Sequence, residues 1–327
     1  MFEKIKVMAR EAGFDLVGIS DGKSLARLKG LLIERKKKSL ESSIEEEDIN
    51  KRLYPKAYLP TYRSIISLAI SYNFPSRADN YFPISKSSQG LDYHIVMEGK
   101  LSSLVDRLSR EYGGDYFAFS DRVPLLEREI AVDAGIGFYG KNSSVINPTY
   151  GSFIYLAGIL TDLEIGPSKR LNVDCGTCDL CIKACPSGAL SEGVFNPNRC
   201  ISYLTQRKGA LTFEESGLIN SLYGCDICQD VCPYNKSALE SDGKDFLLDK
   251  VPSYDPIDIL TMSNKEFQNK YGMIAGSWRG VKALKRNLII NLTNRGIGEY
   301  YNEINKIEDE NVGVSKAIEY FYKGRFL

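Results

Sequence analysis

Eight cysteines lie between residues 175 and 232 of a 327-residue chain, and there are no others. They form two unequal runs. Cys175-Gly-Thr-Cys178-Asp-Leu-Cys181-Ile-Lys-Ala-Cys185-Pro186 has the spacing C-x2-C-x2-C-x3-C-P. Cys225-Asp-Ile-Cys228-Gln-Asp-Val-Cys232-Pro233 has C-x2-C-x3-C-P, and Cys200 stands alone between the runs. The first spacing is the bacterial ferredoxin run, in which three thiolates hold one 4Fe–4S cluster and the fourth crosses to another. Short spacings let successive thiolates converge on one cubane, and the x3-Pro step turns the last one away. Cys175, Cys178, Cys181 and Cys232 are therefore assigned to one cluster. Cys185, Cys200, Cys225 and Cys228 are assigned to the second, with Cys200 replacing the missing first member of the second run.

Two other uses of cysteine fit less well. A disulfide framework suits short secreted chains that cannot build a core, and this chain is long. Paired zinc sites use two C-x2-C pairs rather than a triple followed by C-x3-C-P. Two adjacent clusters are one-electron devices, and as a stand-alone carrier they would leave more than half of the protein unemployed.

The remaining sequence must position those clusters and whatever they serve. Lys plus Arg and Asp plus Glu number 42 each, so any contact with nucleic acid must use a local patch rather than net charge. No apolar run approaches the ~20 residues that span a bilayer, and Met-Phe-Glu-Lys-Ile-Lys lacks the apolar core of a signal peptide. A cytoplasmic protein without membrane contact is expected, and its thiols fit a reducing compartment.

Along the chain, Phe2, Ile5, Met8, Ala9 and Ala12 recur at helical spacing, and 14–19 and 64–72 read as strands. Residues 73–93 read as a loop, containing Tyr81, Phe82 and Tyr93, followed by a helix marked by Leu101, Leu104, Val105 and Leu108. Tyr116-Phe-Ala-Phe119 reads as a strand delivering Asp121, and Pro124 as the start of a helix. A glycine-rich turn, Gly135-Ile-Gly137-Phe-Tyr-Gly140-Lys141-Asn142, precedes the strand 152–160. Strands alternating with helices through 165 indicate an α/β layer. Ser263-Asn-Lys-Glu266 reads as a capping box. Arg279, Lys282 and Arg286 fall at i, i+3 and i+7 and so share one helix face.

Five separate motifs occur in order: Asp121-Arg-Val-Pro-Leu-Leu-Glu127-Arg128, the 134–142 turn, the eight cysteines, Cys200-Ile-Ser202-Tyr-Leu-Thr, and Gly276-Ser-Trp278-Arg279-Gly280. Together they resemble epoxyqueuosine reductase, over roughly residues 1–295. The resemblance implies an enzyme related to reductive dehalogenases, carrying cobalamin and two 4Fe–4S clusters, that converts epoxyqueuosine to queuosine in the anticodon loop of tRNA. The implied fold is an α/β (α+β) cobalamin-binding domain of nitroreductase-like character over 1–165. A bacterial ferredoxin-like two-cluster domain follows over 166–240, then a short helical C-terminal region over 241–327. The other reading for such motifs is a dehalogenase-like or electron-transfer protein acting on a small molecule or a protein partner.

By the same resemblance, Asp121 is the proton donor, with Arg52, Asp121, Val145, Leu156 and Ser202 at the cobalamin site. Lys208, Arg279, Lys282 and Arg286 are expected to meet tRNA. The expected partners are this tRNA and an external low-potential electron donor, with the chain as a monomer. Asp92-Tyr-His94-Ile-Val-Met97 comes close to the D-x-H-x-x-G motif of histidine-ligated cobalamin proteins, but Met97 stands where Gly belongs. The family holds cobalamin without that ligand, so the near match is read as coincidence. Asp121 competes with a bland role as helix cap, and Asp133 is a second candidate acid. As an acid, Asp121 is expected to be raised by burial.

Overall fold

The computed structural model describes residues 1–76, 82–247, 251–308 and 311–324; Tyr81 lies outside them. Helix α1 (Phe2–Glu11) and strand β1 (Leu16–Ser20) open the chain, followed after short helices by β2 (Ser64–Ser71). Helix α2 (Tyr93–Tyr112), β3 (Tyr116–Phe119), α3 (Glu127–Asp133) and β4 (Ile154–Thr161) complete the first layer. The sheet order is β1-β2-β4-β3, and every neighbouring pair is antiparallel. The strands alternate with helices as their spacing suggests, yet none runs parallel. The rule that ligands sit at the carboxyl ends of parallel strands therefore does not place the site here.

All eight residues of β2 are buried, because both faces of the sheet are covered. Ile66, Leu68 and Ile70 pack with Ile5 and Ala9 of α1 and Met97, Leu101, Leu104 and Leu108 of α2. On the opposite face Ile65 meets Ile130, and Ala69 meets Ala131, both of α3. This is the period-two division expected of a strand between two layers. Gly158 of β4 pairs with Phe119, and a Cβ there would sit 2.4 Å from the Phe119 ring. The glycine thus seats the last residue of β3, two positions before Asp121.

Helix α2 begins eight residues before Leu101, inside the stretch read as loop. The Asp92 carboxylate accepts from the His94 backbone N–H at 3.0 Å, the side-chain cap that starts the helix. Apolar periodicity is weak over this first turn, which is why the pattern of leucines finds only the later part.

The cysteine-bearing stretch is built from single turns: α4 (Leu180–Ala184), α5 (Ile201–Gln206), α6 (Ile227–Asp230) and α7 (Pro233–Lys236). After it, Ser263 and Glu266 form the expected capping box at the start of helix Asn264–Tyr271. Gly280, at φ +77°, turns the chain into α8 (Val281–Asn294), and α9 (Val312–Gly324) packs beside α8. Ile201, Leu204, Leu222 and Tyr223 share one apolar core with Phe267, Leu284, Leu288 and Phe321. The cysteine-bearing stretch is therefore braced from behind by the C-terminal helices.

Candidate active site and cluster centres

Five of the cysteines sit within or at the ends of short helical turns. Cys181 lies in α4 and Cys228 in α6, Cys185 ends α4, and Cys200 and Cys232 occupy the N-cap positions of α5 and α7. Pro233 suits the first position of α7, where its missing N–H has no partner to lose. The thiols gather in two groups. Cys181 feels the charge of Cys175 and Cys178, and Cys232 packs against Cys175 beside Phe138, Ile146 and Tyr234. Cys228 feels Cys225, Cys200 and Cys185, and Cys225 feels Cys200 and Cys185. Cys228 also feels Cys181, so the two groups adjoin.

Burial, together with Cys200, Asp226 and Cys185, pushes the Cys225 thiol up to about 11. Cys228 is raised further by burial and the neighbouring thiols. Sulfurs crowded in this way give up protons only to a cationic centre, so the donor set fits an iron–sulfur cluster in each group. Cys200→Ala should leave about half of the iron in anaerobically reconstituted protein, with the other cluster still visible by EPR. Eight irons per chain in that variant would overturn the assignment of Cys200.

Asp121 lies in the 120–126 segment between β3 and α3, which is neither helix nor strand. Its Oδ1 is 2.6 Å from His94 Nε2, and His94 Nδ1 is 2.7 Å from Asp92 Oδ1. The Tyr93 hydroxyl donates to Asp121 Oδ2. Tyr93 is stacked on Tyr155 at 4.4 Å, so an aromatic floor fixes this donor. Helix α3 starts at Glu127 with Leu126 as its cap and no side-chain cap bond, so Asp121 is not a capping residue.

The protonation pattern reverses one expectation. Burial pushes the Asp121 carboxyl up, but hydrogen bonds from His94 and Tyr93 and the charges of His94 and Arg122 bring it below the usual carboxylate range. Burial pushes His94 down, but its bonds to Asp121 and Asp92 reverse this and hold it at about 9. At neutral pH the proton therefore sits on His94, between two carboxylates. The single histidine, set aside as a coincidental motif match, is a full partner of Asp121. What flags it in the sequence is its place in an Asp-Tyr-His cap at a helix start. Asp133 is elsewhere, accepting from Ser20 at 2.5 Å and from Arg170 at 2.8 Å.

Glu127 adjoins this group. Asp121, His94 and Tyr93 each interact electrostatically with it. Burial, then the Asp121 charge, raise its carboxyl to about 8, and its Oε2 is shut from solvent without a hydrogen-bond partner.

The other wall comes from the later chain. Ser202, Gln206, Tyr223 and Trp278 form one hydrogen-bonded series. Gln206 donates to the Ser202 carbonyl at 2.9 Å, Tyr223 donates to Gln206 at 3.0 Å, and Trp278 Nε1 donates to Tyr223 at 2.5 Å. Tyr223 feels the charges of Asp92 and Asp121, which places this series near the acid group. The Arg279 guanidinium lies 3.8 Å over the Trp278 ring, and Trp278, the only tryptophan, is 54 % exposed.

Of the remaining expected cofactor residues, Val145 and Leu156 meet in one apolar cluster beside α3. Arg52 is buried against Glu45 at 3.1 Å and Glu41 at 3.7 Å. Arg52 Nη1, Asn142 Nδ2 and Arg279 Nε are buried and make no hydrogen bond. A large ligand rich in amides, such as a corrin, fits unspent donors of this kind.

Lys208, Arg279 and Lys282 retain exposed or half-exposed positions. Arg286 does not: it is 1 % exposed, donating to the carbonyls of Leu204, Thr205, Arg207 and Gly209. The i+7 spacing aligned it with Arg279, but Gly280 turns the chain between them, so Arg279 lies outside α8 while Arg286 faces the core. Arg286 fixes the turn that carries Lys208 rather than meeting phosphate itself.

Two family models match the chain: one described as epoxyqueuosine reductase QueG, DUF1730, over residues 52–122, and one as a 4Fe–4S double cluster binding domain over 174–235. The epoxyqueuosine reductase of Bacillus cereus is 36% identical, across 96% of this chain and 85% of that protein. A crystal structure of selenomethionine-labelled epoxyqueuosine reductase superposes with TM-score 0.88 at 32% identity, covering 99% of this chain and 90% of the other. A crystal structure of epoxyqueuosine reductase with an epoxyqueuosine-modified tRNA-Tyr stem loop gives 0.82 at 32% identity, covering 98% of each.

Proposed function

This chain belongs to the epoxyqueuosine reductase family, and on that premise we propose that it reduces epoxyqueuosine to queuosine in the anticodon loop of tRNA, with Asp121 delivering a proton to the departing oxygen. The observation that carries the reading is the Asp92–His94–Asp121 series, within electrostatic reach of Tyr223 in the cysteine-bearing stretch. Removing an epoxide oxygen as water takes two electrons and two protons, and leaves a carbon–carbon double bond. The relatives act as named reductases of epoxyqueuosine, so the dehalogenase-like and carrier readings are not favoured.

The two clusters, held by the eight cysteines, would supply a one-electron route into the protein from an external low-potential donor. Bound cobalamin supplies a cobalt centre able to deliver both electrons to the substrate. Arg52, Val145, Leu156, Ser202 and the buried donors of Asn142 and Arg279 would hold it. The protein's own part is protonation. Negative charge collects on the oxygen as its bond to carbon lengthens, and an alkoxide leaves poorly at neutral pH, so a positioned acid is needed. The proton crosses the 2.6 Å contact from His94 to Asp121 and leaves from Asp121. Tyr93, neutral because burial and Asp121 raise it, orients the carboxylate.

Among the described residues no helix is long and apolar enough to cross a membrane. RNA is met by Trp278 and Arg279, a stacked pair suited to an unpaired base, and by Lys208 and Lys282 on phosphate. Replacing Arg279 and Lys282 with Gln should weaken binding of an epoxyqueuosine-bearing stem loop. The salt slope should flatten by about 0.7–0.9 per lost phosphate contact. Arg286→Met should instead lower the midpoint of unfolding, because it strips a donor from several buried carbonyls at about 1–3 kcal/mol each. An unchanged salt slope in the first variant returns that face to solvent.

Titration of the cluster-loaded protein with cobalamin, followed by its visible spectrum, tests the cofactor, and stem-loop binding tests the substrate. Tight corrinoid binding and preference for the modified loop are expected. A protein that binds neither contradicts the proposal.

A further inference from the structure

The reaction consumes two protons, and the Asp92–His94–Asp121 series stores one of them, on His94. We propose that Glu127 holds the second proton as a neutral carboxylic acid and passes it to the Asp121–His94 pair once the first has gone. This inference rests on the reductase reading above, since only a two-proton reaction calls for a second store.

Position supports it first. Glu127 opens α3 at the end of the segment that carries Asp121, so one backbone stretch brings both carboxyls within electrostatic reach of each other. Its Oε2 is enclosed and has no hydrogen-bond partner, unlike either oxygen of Asp121. With one of its two oxygens enclosed and unpartnered, the half-buried Glu127 carboxyl is costly to ionise and better tolerated as the acid. The charged groups that face it act in both directions: Asp121 disfavours its ionisation, while Arg128 and His94 favour it. When His94 gives up its proton it is left as a base, held at about 9, beside a carboxyl held at about 8, so the proton passes from Glu127 to the pair. Asp121 remains ionised until it is reprotonated, and Glu127 is the protonated carboxyl within electrostatic reach of both.

The balance closes. Both carbon–oxygen bonds of the epoxide break, one carbon–carbon π bond forms, and the oxygen leaves as water. Two electrons come from the external donor, one proton from His94 through Asp121, and one from Glu127 through the same pair. At the end His94 is neutral and Glu127 ionised, and both recharge from solvent before the next substrate. Glu127 thus acts through Asp121, as a reservoir rather than as the group touching the oxygen.

Infrared spectroscopy of the cluster-loaded protein reads the reservoir directly, without substrate. Wild type should show a neutral carboxyl carbonyl band at pH 7 that fades as pH rises through about 8. Glu127→Gln should lack that band and Asp121→Asn should keep it. In single turnover with epoxyqueuosine-bearing tRNA, Glu127→Gln should form queuosine about 10²-fold more slowly. Its tRNA affinity should be unchanged, and the loss of rate that wild type shows near pH 8 should be absent. Glu127→Asp, which retains an acid, should recover part of the rate. A wild type with no such band, a band that survives in Glu127→Gln, or wild-type turnover by that variant would each overturn the proposal. Failure of wild type to convert the tRNA while the band is present would count against the substrate, not against the protonated state of Glu127.

Discussion

Asp121→Asn should lower queuosine formation by roughly 10²-fold or more, the scale that general acid catalysis supplies, while iron content and tRNA binding stay at wild-type values. Asn has nearly the size of Asp, so the 120–126 segment keeps its shape. It cannot, however, take a proton from His94 on one oxygen and hold it for the substrate. Its amide also opposes the Tyr93 hydroxyl with a donor where a carboxylate oxygen accepts. A purely structural Asp121 predicts the reverse, because Asn replaces Asp well in caps and turns. The structure removes the cap role, since helix α3 starts without it. Single-turnover kinetics with cofactor-loaded variant is the measurement, and near-wild-type turnover would return Asp121 to a structural part.

His94→Gln should cost a similar factor, about 10²-fold, for a different reason. Gln can still bridge Asp92 and Asp121 but carries neither charge nor a transferable proton. Wild-type activity should fall further as pH rises from the Glu127 limb near 8 through about 9, where His94 loses its proton, and the variant should lack that upper limb. Stability gives an independent reading. The folded protein holds His94 at about 9 against an ordinary value of 6.5, so its contribution is complete below 6.5 and lost as pH rises through about 9. Asp92 and Asp121 are depressed, so their contributions are present above the ordinary carboxylate range and lost as pH falls through the lowered values. Urea unfolding of wild type and His94→Gln should therefore converge between pH 6.5 and 9. Parallel pH dependence in the two proteins would contradict a protonated His94.

The cysteines announce themselves because ligand spacing is local: three thiols in seven residues can reach one cubane whatever the rest of the chain does. The grouping of Cys200 with Cys225, Cys228 and Cys185, found in the folded chain, follows the same counting. Features set by distant packing were less visible. His94 and Asp121 are 27 residues apart and meet only because α2 starts about two helical turns earlier than its leucines show. The direction of Asp121's ionisation depends on that meeting, so an argument from burial alone gave the wrong sign. Periodicity aligned Arg279 with Arg286 but carries no information on the Gly280 turn that leaves Arg279 outside α8, or on what covers Arg286. The carbonyls of 204–209 cover the Arg286 end. Strand polarity was hidden in the same way, since helices between strands are compatible with the antiparallel order β1-β2-β4-β3.

Mass analysis of nucleosides from epoxyqueuosine-bearing tRNA, after incubation with this protein loaded with iron, sulfide and cobalamin under a low-potential reductant, is the most direct test. Epoxyqueuosine should disappear and be replaced, one for one, by queuosine, a nucleoside lighter by one oxygen atom. tRNA that keeps its epoxide, in the presence of protein shown to hold both clusters and the corrinoid, would contradict the assignment of this chain as the reductase.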